Sequence, residues 1–531
     1  MVSKKKMSDS NKINKRFSLE LKGAVLLFLY YLAIALVVFS KGILSSECLF
    51  FLGKASLLQI PELDKIKIFG LTFPQVPFIL TSFTALFKFR FGPILVSILG
   101  TSILFYKVTT ALKPRRFYSK LYYCILATFL LHPLFVFSAI SGTSLYASLL
   151  FFYLFIYNLL KFLKTSATYN VFVASLYFSL LVFSCHKFIW LILLLVPIIF
   201  LFTVETLPIA KDSFFNKLII IFNTVSLRRR FANKLLALNM VLFALPLGLM
   251  VIYRLLNEFY TGSSNYYLDH SFENLFPIFQ FNDAKLSYFK QLYPIGFYLN
   301  HYTLLKTFII APLPFFYLYI SRNVFLSVLI FGVLICLVEF LSIRYSESFV
   351  AIQFIAVFIL TGWALLSAIG TYNYSNFYSN ALVVITVLQI MTGVFSFVSG
   401  TIADDKNYIN ALVSLCTPEG YQQKDDDLVF AKFVSRLPTN EVLLADDDVA
   451  YRIFAMTESK CRVITQQSAL FTDACTDPKQ YVNYILIPQK GSVLEKYSKL
   501  NHYSLLSVNA RQVNLSEVLS NKDWVMFKVI K

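Results

Sequence analysis

The sequence has 531 residues, of which 57% are hydrophobic and only 15% are charged, and its mean hydropathy is +0.65. About a quarter of the residues of an ordinary soluble domain are charged, and a soluble chain this apolar would expose large aggregation-prone patches. The composition therefore excludes an ordinary soluble protein and predicts an integral membrane protein. Its aromatic content of 17% suits helix faces in lipid and rings at the membrane interface.

The formal net charge of +19 is unevenly distributed along the chain. Residues 403–531 carry 15 basic and 16 acidic side chains, so the basic excess lies in the first 402 residues. Basic residues beside apolar segments are the positive-inside signal, and they also attract anionic lipid headgroups. A high pI also characterises nucleic-acid-binding proteins. Here the charges border apolar runs and form no continuous stripe, so we predict no nucleic-acid partner.

The N-terminal segment 1–21 is polar and basic, and it is followed by an apolar run long enough to span a membrane. We therefore predict a cytoplasmic N-terminus and a first transmembrane helix that acts as a signal anchor, without a cleavable signal peptide. Residues 22–402 form the predicted transmembrane domain. Its apolar runs fall at about 23–40, 73–89, 93–112, 121–140, 144–163, 169–185, 187–204, 236–254, 303–320, 324–342, 349–368 and 380–400.

The basic segment 205–234 fixes the predicted orientation, because such segments stay in the cytoplasm. The loop 255–302 and the C-terminal region then lie outside, which requires an odd number of crossings. Twelve runs give an even number, so we expect about 11–13 helices. Either the runs around Cys185–Lys187 form one broken helix, or a run within 121–163 re-enters. Two loops, at 42–72 and 255–302, predict a site on the outer face of a cell inner membrane.

Residues 403–531 have the pattern of a small soluble α/β domain outside the membrane, because short apolar strands alternate with amphipathic helices. Acidic triplets at Asp425–Asp427 and Asp446–Asp448 resemble metal ligands, but each stands at a predicted helix start, where acids cap the helix and favour its dipole. The predicted helices are 426–437 and 449–457, and the predicted strands are 441–445, 462–465, 481–488 and 524–530.

The acid nearest the predicted outer end of the first transmembrane helix is Glu47. A partly desolvated carboxylate at the boundary between water and lipid can act as a general base. The alternative interpretation is a solvated acid at a helix end. Downstream, Pro74 and Pro77 suit the first turn of the second transmembrane helix, where proline is tolerated.

The order of several motifs resembles the GT-C superfamily of membrane glycosyltransferases that use polyprenyl-phosphate sugars. The first loop has an early acid and ends in a Gly-x-x-aromatic-Pro-x-x-Pro pattern, and the similarity continues to the C-terminus. The matching segments are Leu63–Phe78, His132–Phe135, Ser141–Ser144, Asn257–Gly262, Arg344–Tyr345, Val442–Asp447 and Val482–Pro488. The chain departs from the pattern at three places. The early acid is Glu47 where Asp is usual, Leu145 replaces an acid, and Cys185–Phe188 replaces Thr-Arg-Tyr-Glu.

The resemblance implies a donor sugar carried on a polyprenyl phosphate, whose leaving phosphate is stabilised by cations. It gives no metal ligands, and a divalent cation is the candidate cofactor. The implied catalytic residues are Glu47 and Asp64, the donor-phosphate-binding residues are Arg344, Lys187 and His186, and the loop candidates for the acceptor are Asp269, His270 and Glu273.

The resulting hypothesis is a membrane glycosyltransferase acting at the outer face on an unknown glycan, lipid or protein acceptor, with anionic lipids as further partners. A second hypothesis is a transporter or flippase of lipid-linked sugars, although the paired inverted halves of many transporters are not visible. A third is a GT-C-like protein that lacks catalysis and serves in assembly, because the acidic motif is weakened.

Overall fold

The computed structural model is predominantly helical, with one small sheet near the C-terminus. The residues described are 2–85, 90–112, 118–207, 214–271, 307–320, 324–345, 352–368, 376–398, 406–415, 426–457, 461–492, 494–495, 498–502 and 515–530.

Six helices in the described part of the chain are long and apolar enough to cross a membrane, and a bent pair of helices gives a seventh candidate. The six are Leu19–Ser40 (the apolar part of the helix Val2–Ser40), Gly92–Leu112, Leu145–Thr165, His186–Glu205, Val225–Thr261 and Asn380–Val398. Further helices include Gln75–Ala85, Thr168–Ser184, Phe214–Asn223, Pro312–Ile320, Val324–Tyr345, Ile352–Ala368 and Lys406–Ser414. The predicted class, a polytopic helical membrane protein with a C-terminal α/β domain, is confirmed.

The bent pair consists of Tyr118–Leu131 and Pro133–Ile140, which meet at an angle of 59°. Proline has no N–H and disfavours helical geometry at the preceding residue, so the helix breaks at His132. His132 then caps the second helix by accepting a hydrogen bond from the Leu134 N–H. The predicted run 121–140 is therefore broken at His132, and it forms either one bent span or a re-entrant hairpin. Re-entry here is one of the two alternatives that the odd number of crossings required.

The two runs around Cys185–Lys187 form separate helices rather than one continuous helix. Cys185 has extended backbone geometry (φ −155°), and a 3-10 turn at His186–Trp190 connects Thr168–Ser184 to Leu191–Glu205. This turn places the ionisable side chains of His186 and Lys187 in an otherwise apolar part of the molecule.

The helix Val225–Thr261 begins within the basic segment 205–234 and has 37 residues. At 1.5 Å per residue it is about 55 Å long, whereas the hydrocarbon core is about 30 Å thick. The helix must therefore project beyond the hydrocarbon. It ends where Gly262 adopts a left-handed conformation (φ +75°), which is the usual backbone geometry for a helix stop.

The C-terminal domain contains a five-stranded sheet with the order β2-β1-β3-β5-β4. Strand β1 pairs in parallel with β2 and β3, whereas β5 pairs antiparallel with β3 and β4. The strands are β1 Val442–Ala445, β2 Arg462–Ile464, β3 Tyr484–Pro488, β4 Leu515–Ser520 and β5 Trp524–Val529, and the helices are Asp426–Arg436, Tyr451–Met456, Phe471–Thr476, Pro478–Tyr481 and Lys499–His502. Sequence patterning missed β4, because it is an edge strand in which no residue is fully buried.

Candidate functional site

The first loop, residues 42–72, contains a helix at Ser46–Leu57, called here the first-loop helix. Ser45 is its N-cap, and the Ser45 Oγ accepts a hydrogen bond from the Cys48 N–H at 3.1 Å. The same hydroxyl donates to the Ser141 carbonyl oxygen at 2.6 Å. One buried side chain thus both starts the helix and attaches it to the loop at Ser141–Ser144.

Glu47 lies in the first turn of the first-loop helix and is half-buried. Its Oε1 accepts a hydrogen bond from the Ser144 N–H at 3.1 Å. The carboxylate also lies close enough to the Tyr146 hydroxyl to affect it electrostatically. That hydroxyl is buried and has no hydrogen-bond partner among the described residues. The structure therefore joins two sequence motifs, the early acid and the Ser141–Ser144 segment.

Gly142 allows this close approach between the two segments. Its backbone is left-handed (φ +69°), and a Cβ atom there would lie 2.9 Å from the Cys48 Sγ. Glycine adopts this conformation without steric cost, whereas other residues do so rarely. The close contact with Cys48, the residue after Glu47, thus explains why the Ser141–Ser144 motif has glycine at position 142.

His186 and Lys187 are both buried, with 5% of each residue exposed. Ionisable groups in such surroundings are costly, and they therefore mark candidate functional sites. The His186 ring packs edge-on against Phe73 with centroids 5.7 Å apart, and Phe73 in turn contacts Tyr267 at 5.5 Å. The 3-10 turn, the end of the first loop and the start of the second loop (residues 255–302) therefore meet at one aromatic cluster.

Asp64, the second predicted catalytic acid, is the N-cap of the helix Lys65–Leu71. Its Oδ1 accepts hydrogen bonds from the Ile66 N–H at 3.0 Å and the Lys67 N–H at 3.2 Å. Helix capping accounts for this residue, and none of these contacts joins it to Glu47.

The remaining site residues predicted from the sequence in the membrane part and its second loop are Arg344, Glu273 and Asp269. Arg344 lies in the last turn of the helix Val324–Tyr345, so it ends that helix instead of opening the next one, which begins at Ile352. Its side chain and the whole of Glu273 lie outside the described residues. Asp269 is exposed, as expected for a solvated loop residue.

The second predicted loop residue, His270, belongs to a buried charge cluster that sequence reasoning missed. The cluster is defined here as Lys54, His270, Asp446, Asp447, Asp448 and Lys499. Lys54, on the first-loop helix, is 3% exposed, and its Nζ contacts Asp447 Oδ2 and Asp448 Oδ1, each at 2.5 Å.

The acidic triplet Asp446–Asp448 does contribute a local turn bond, because Asp446 Oδ1 accepts from the Asp448 N–H. Its principal contacts nevertheless join the C-terminal domain to the two loops, which corrects the interpretation of the triplet as capping alone.

His270 links Asp448 to Lys499 through the two nitrogens of its ring. Its Nδ1 is hydrogen-bonded to Asp448 Oδ2, and its Nε2 lies 2.6 Å from Lys499 Nζ. An ammonium group only donates hydrogen bonds, so Nε2 must accept and Nδ1 must carry the proton. The His270 Nδ1–H therefore donates to Asp448.

Burial and opposing charges shift the pKa values within the cluster in different directions. Burial, together with the repulsion of Asp448 and Asp447, raises the pKa of Asp446 to about 7. Burial alone would also raise the pKa of Asp448, but His270 and Lys54 hold it well below its usual range. Burial would lower the pKa of Lys54, yet Asp447 and Asp448 outweigh that effect and raise it.

The stability of the C-terminal domain is expected to fall as the pH rises from about 4 to about 7. A carboxyl group whose pKa is raised on folding contributes stability fully below its ordinary value of 3.8, and loses that contribution as the pH rises through about 7. The slope is at most about 1.4 kcal/mol per pH unit for one proton. The shifts in the pKa values of Asp448 and Lys54 act outside this window.

Thermal unfolding of the full chain in detergent should show this loss of stability with rising pH, and Asp446→Asn should flatten the pH profile. A wild-type profile as flat as that of the variant would contradict the assignment.

The residues of the described ranges include no group of three or more His, Cys, Asp or Glu side chains suited to a metal ion. In the acidic triplet, Asp447 and Asp448 bind Lys54, while Asp446 accepts hydrogen bonds from Gln466 and from the Lys499 N–H. The described residues thus offer no ligand set for the divalent cation that the sequence left as a candidate, and no step proposed below uses one.

No protein-family model matches this chain. No curated protein sequence matches it either. Among solved structures, the chain is similar to ArnT from Cupriavidus metallidurans bound to undecaprenyl phosphate, with 11% sequence identity and a TM-score of 0.47. The alignment covers 95% of this chain and 97% of that chain.

Proposed function

We propose that this protein is a membrane glycosyltransferase that transfers a sugar from a polyprenyl-phosphate donor to an acceptor hydroxyl. The observation that carries the proposal is the environment of Glu47. A half-buried carboxylate is held by the Ser144 N–H beside the buried Tyr146 hydroxyl, next to a loop that packs on membrane-spanning helices. A fixed, partly desolvated carboxylate of this kind suits proton abstraction from an acceptor.

In the proposed reaction, Glu47 takes the proton of the acceptor hydroxyl while the acceptor oxygen forms a bond to the anomeric carbon of the donor sugar. The bond from that carbon to the phosphate oxygen breaks, and the polyprenyl phosphate leaves with its electron pair. Attack opposite the leaving group inverts the anomeric centre. Lys187 and His186 are the described groups that we assign to the leaving phosphate, because cations in a poorly hydrated site stabilise developing negative charge. Arg344 is retained as a third candidate from the sequence.

The proposed topology places the N-terminus in the cytoplasm and the first loop, the second loop and the C-terminal domain at the outer face of an inner membrane. Contacts between these three parts support their location on one side. The described contacts Lys54–Asp447, His270–Asp448 and Glu62–Arg462 all join a loop to the C-terminal domain. Such contacts require the partners to share one compartment.

The direct test is turnover by the full-length protein reconstituted in liposomes with polyprenyl-phosphate sugars. The proposal expects release of polyprenyl phosphate together with transfer of the labelled sugar to an acceptor. Movement of intact donor across the bilayer without cleavage would favour a flippase. Binding of the donor without cleavage or movement would favour the non-catalytic assembly protein. Adding EDTA to the same assay tests the divalent cation, and loss of turnover that Mg²⁺ restores would support it.

Replacing Lys187 by Met is expected to raise the KM for the donor by about 10- to 100-fold, because a hydrogen bond to a charged group contributes about 1.5–3 kcal/mol. Methionine keeps most of the side-chain length and removes the charge. Lys164→Met is the matched control, since Lys164 is an exposed lysine near the end of the neighbouring helix Leu145–Thr165. Equal donor KM values for the two variants would remove Lys187 from the proposed phosphate site.

A further inference from the structure

We propose that the C-terminal domain positions the proposed base, with Lys54 as the positioning residue. Through Lys54, the domain holds the first-loop helix Ser46–Leu57 in the orientation that directs Glu47 toward Ser144. This inference rests on the proposed function for its catalytic consequence, whereas its structural part stands independently.

The C-terminal half of the first-loop helix is held by the domain. Lys54 is buried and contacts Asp447 and Asp448. Beside it, a Cβ atom on Gly53 would lie only 2.3 Å from the Tyr451 carbonyl oxygen, so the helix backbone touches the backbone of the domain directly. Phe50 adds an edge-on ring contact with Tyr451, with centroids 5.7 Å apart. Charge pairing, backbone approach and ring packing thus occur on one surface.

The N-terminal end of the same helix is held by the transmembrane domain. Ser45 donates to the Ser141 carbonyl oxygen, Glu47 accepts from the Ser144 N–H, and Cys48 packs against Gly142. The helix therefore bridges the two parts of the molecule, with the proposed base at one end and the buried lysine toward the other.

Helix geometry couples these two ends. Glu47 and Lys54 are seven residues apart, which is about two turns, so their side chains share one face about 10 Å apart along the axis. The helix has 12 residues, and isolated helices of that length are marginal in water. Tertiary contacts must therefore hold it in place. Loss of the contacts at Lys54 would release the helix that carries Glu47, because a buried charge pair that loses one partner is strongly destabilised.

The test is hydrogen exchange of residues 46–57 in the full-length protein, read together with sugar transfer. Lys54→Met leaves Asp447 and Asp448 buried without their cation, and should speed exchange of this helix by about 100-fold or more. Hydrogen exchange in the span Leu145–Thr165 should stay unchanged.

For sugar transfer by Lys54→Met, kcat should fall by at least about tenfold, while the donor KM stays within about threefold of the wild type. A misplaced base affects the reaction rather than donor binding. Neutralising the two acids as well, with Asp447→Asn and Asp448→Asn in the Lys54→Met background, should restore slow exchange.

A second variant keeps the test informative if Lys54→Met fails to fold. Gly53→Ala introduces a methyl group against the Tyr451 carbonyl oxygen without changing any charge, and should likewise speed exchange in residues 46–57 and lower kcat. The matched control is Gly70→Ala, because a Cβ atom on Gly70 would meet no atom within 4 Å. Unchanged exchange in Lys54→Met, or equal exchange in the two glycine variants, would overturn the inference. If the protein lacks transferase activity altogether, the exchange results still decide whether the domain holds the helix.

Discussion

Replacing Glu47 by Gln is expected to lower kcat for sugar transfer by about 100- to 10,000-fold, the range that a positioned general base contributes. The amide keeps the size of the side chain and can still accept the Ser144 N–H bond through its oxygen, so the fold should be retained. Because the amide takes up no proton at neutral pH, the acceptor hydroxyl would have to lose its proton without help. Donor binding does not use this proton transfer, so the donor KM should change little.

The matched control for this experiment is Glu62→Gln, which makes the same chemical change in the same loop. Glu62 is partly exposed and forms a surface ion pair with Arg462 at 3.0 Å. Such pairs contribute about 0–1 kcal/mol, so turnover by this variant should stay within about twofold of the wild type. Transfer by Glu47→Gln at the wild-type rate would remove Glu47 as the base. If wild-type turnover is present, that result would direct the search to another acid of the first loop.

Replacing Asp448 by Ala is expected to destabilise the C-terminal domain by about 3–5 kcal/mol, the range for breaking a buried ion pair by removing one partner. Asp448 is 1% exposed, and both Lys54 and His270 bind its carboxylate. Its loss leaves Lys54 with less compensation and leaves the His270 Nδ1–H without its acceptor. Hydrogen exchange of β1 and β3 under native conditions measures this loss as a free energy of local unfolding.

Asp473→Ala provides the comparison for Asp448, because Asp473 is an exposed acid in the first turn of the helix Phe471–Thr476. Exposed substitutions of this kind usually change stability by no more than about 0.5 kcal/mol. Asp448→Asn should be less severe than Asp448→Ala, since its amide oxygen still accepts from His270. A change below about 1 kcal/mol in Asp448→Ala would show that the cluster contributes little net stability.

The sequence by itself determined the membrane character and the α/β nature of the C-terminal domain. Apolar runs of about 20 residues have one stable solution in lipid, since a helix satisfies its own backbone hydrogen bonds. The buried strands of the C-terminal domain were visible for a similar reason, because β1 and β3 are short apolar runs bounded by polar residues. The local sequence pattern was sufficient to predict those elements whose structure depends on residues that are neighbours along the chain.

Only the tertiary structure decided which polar residues meet. Glu47 and Ser144 are 97 positions apart, and Lys54 and Asp447 are 393 positions apart. No local periodicity records such pairings. In the sequence, Lys54 is an ordinary lysine near a helix end, and Asp446–Asp448 is an acidic run at a helix start. Docking of the C-terminal domain on the first-loop helix removes water from both, and desolvation makes their pairing energetically necessary. For this protein, the sequence determined the elements and the candidate base, and tertiary packing determined what holds that base in place.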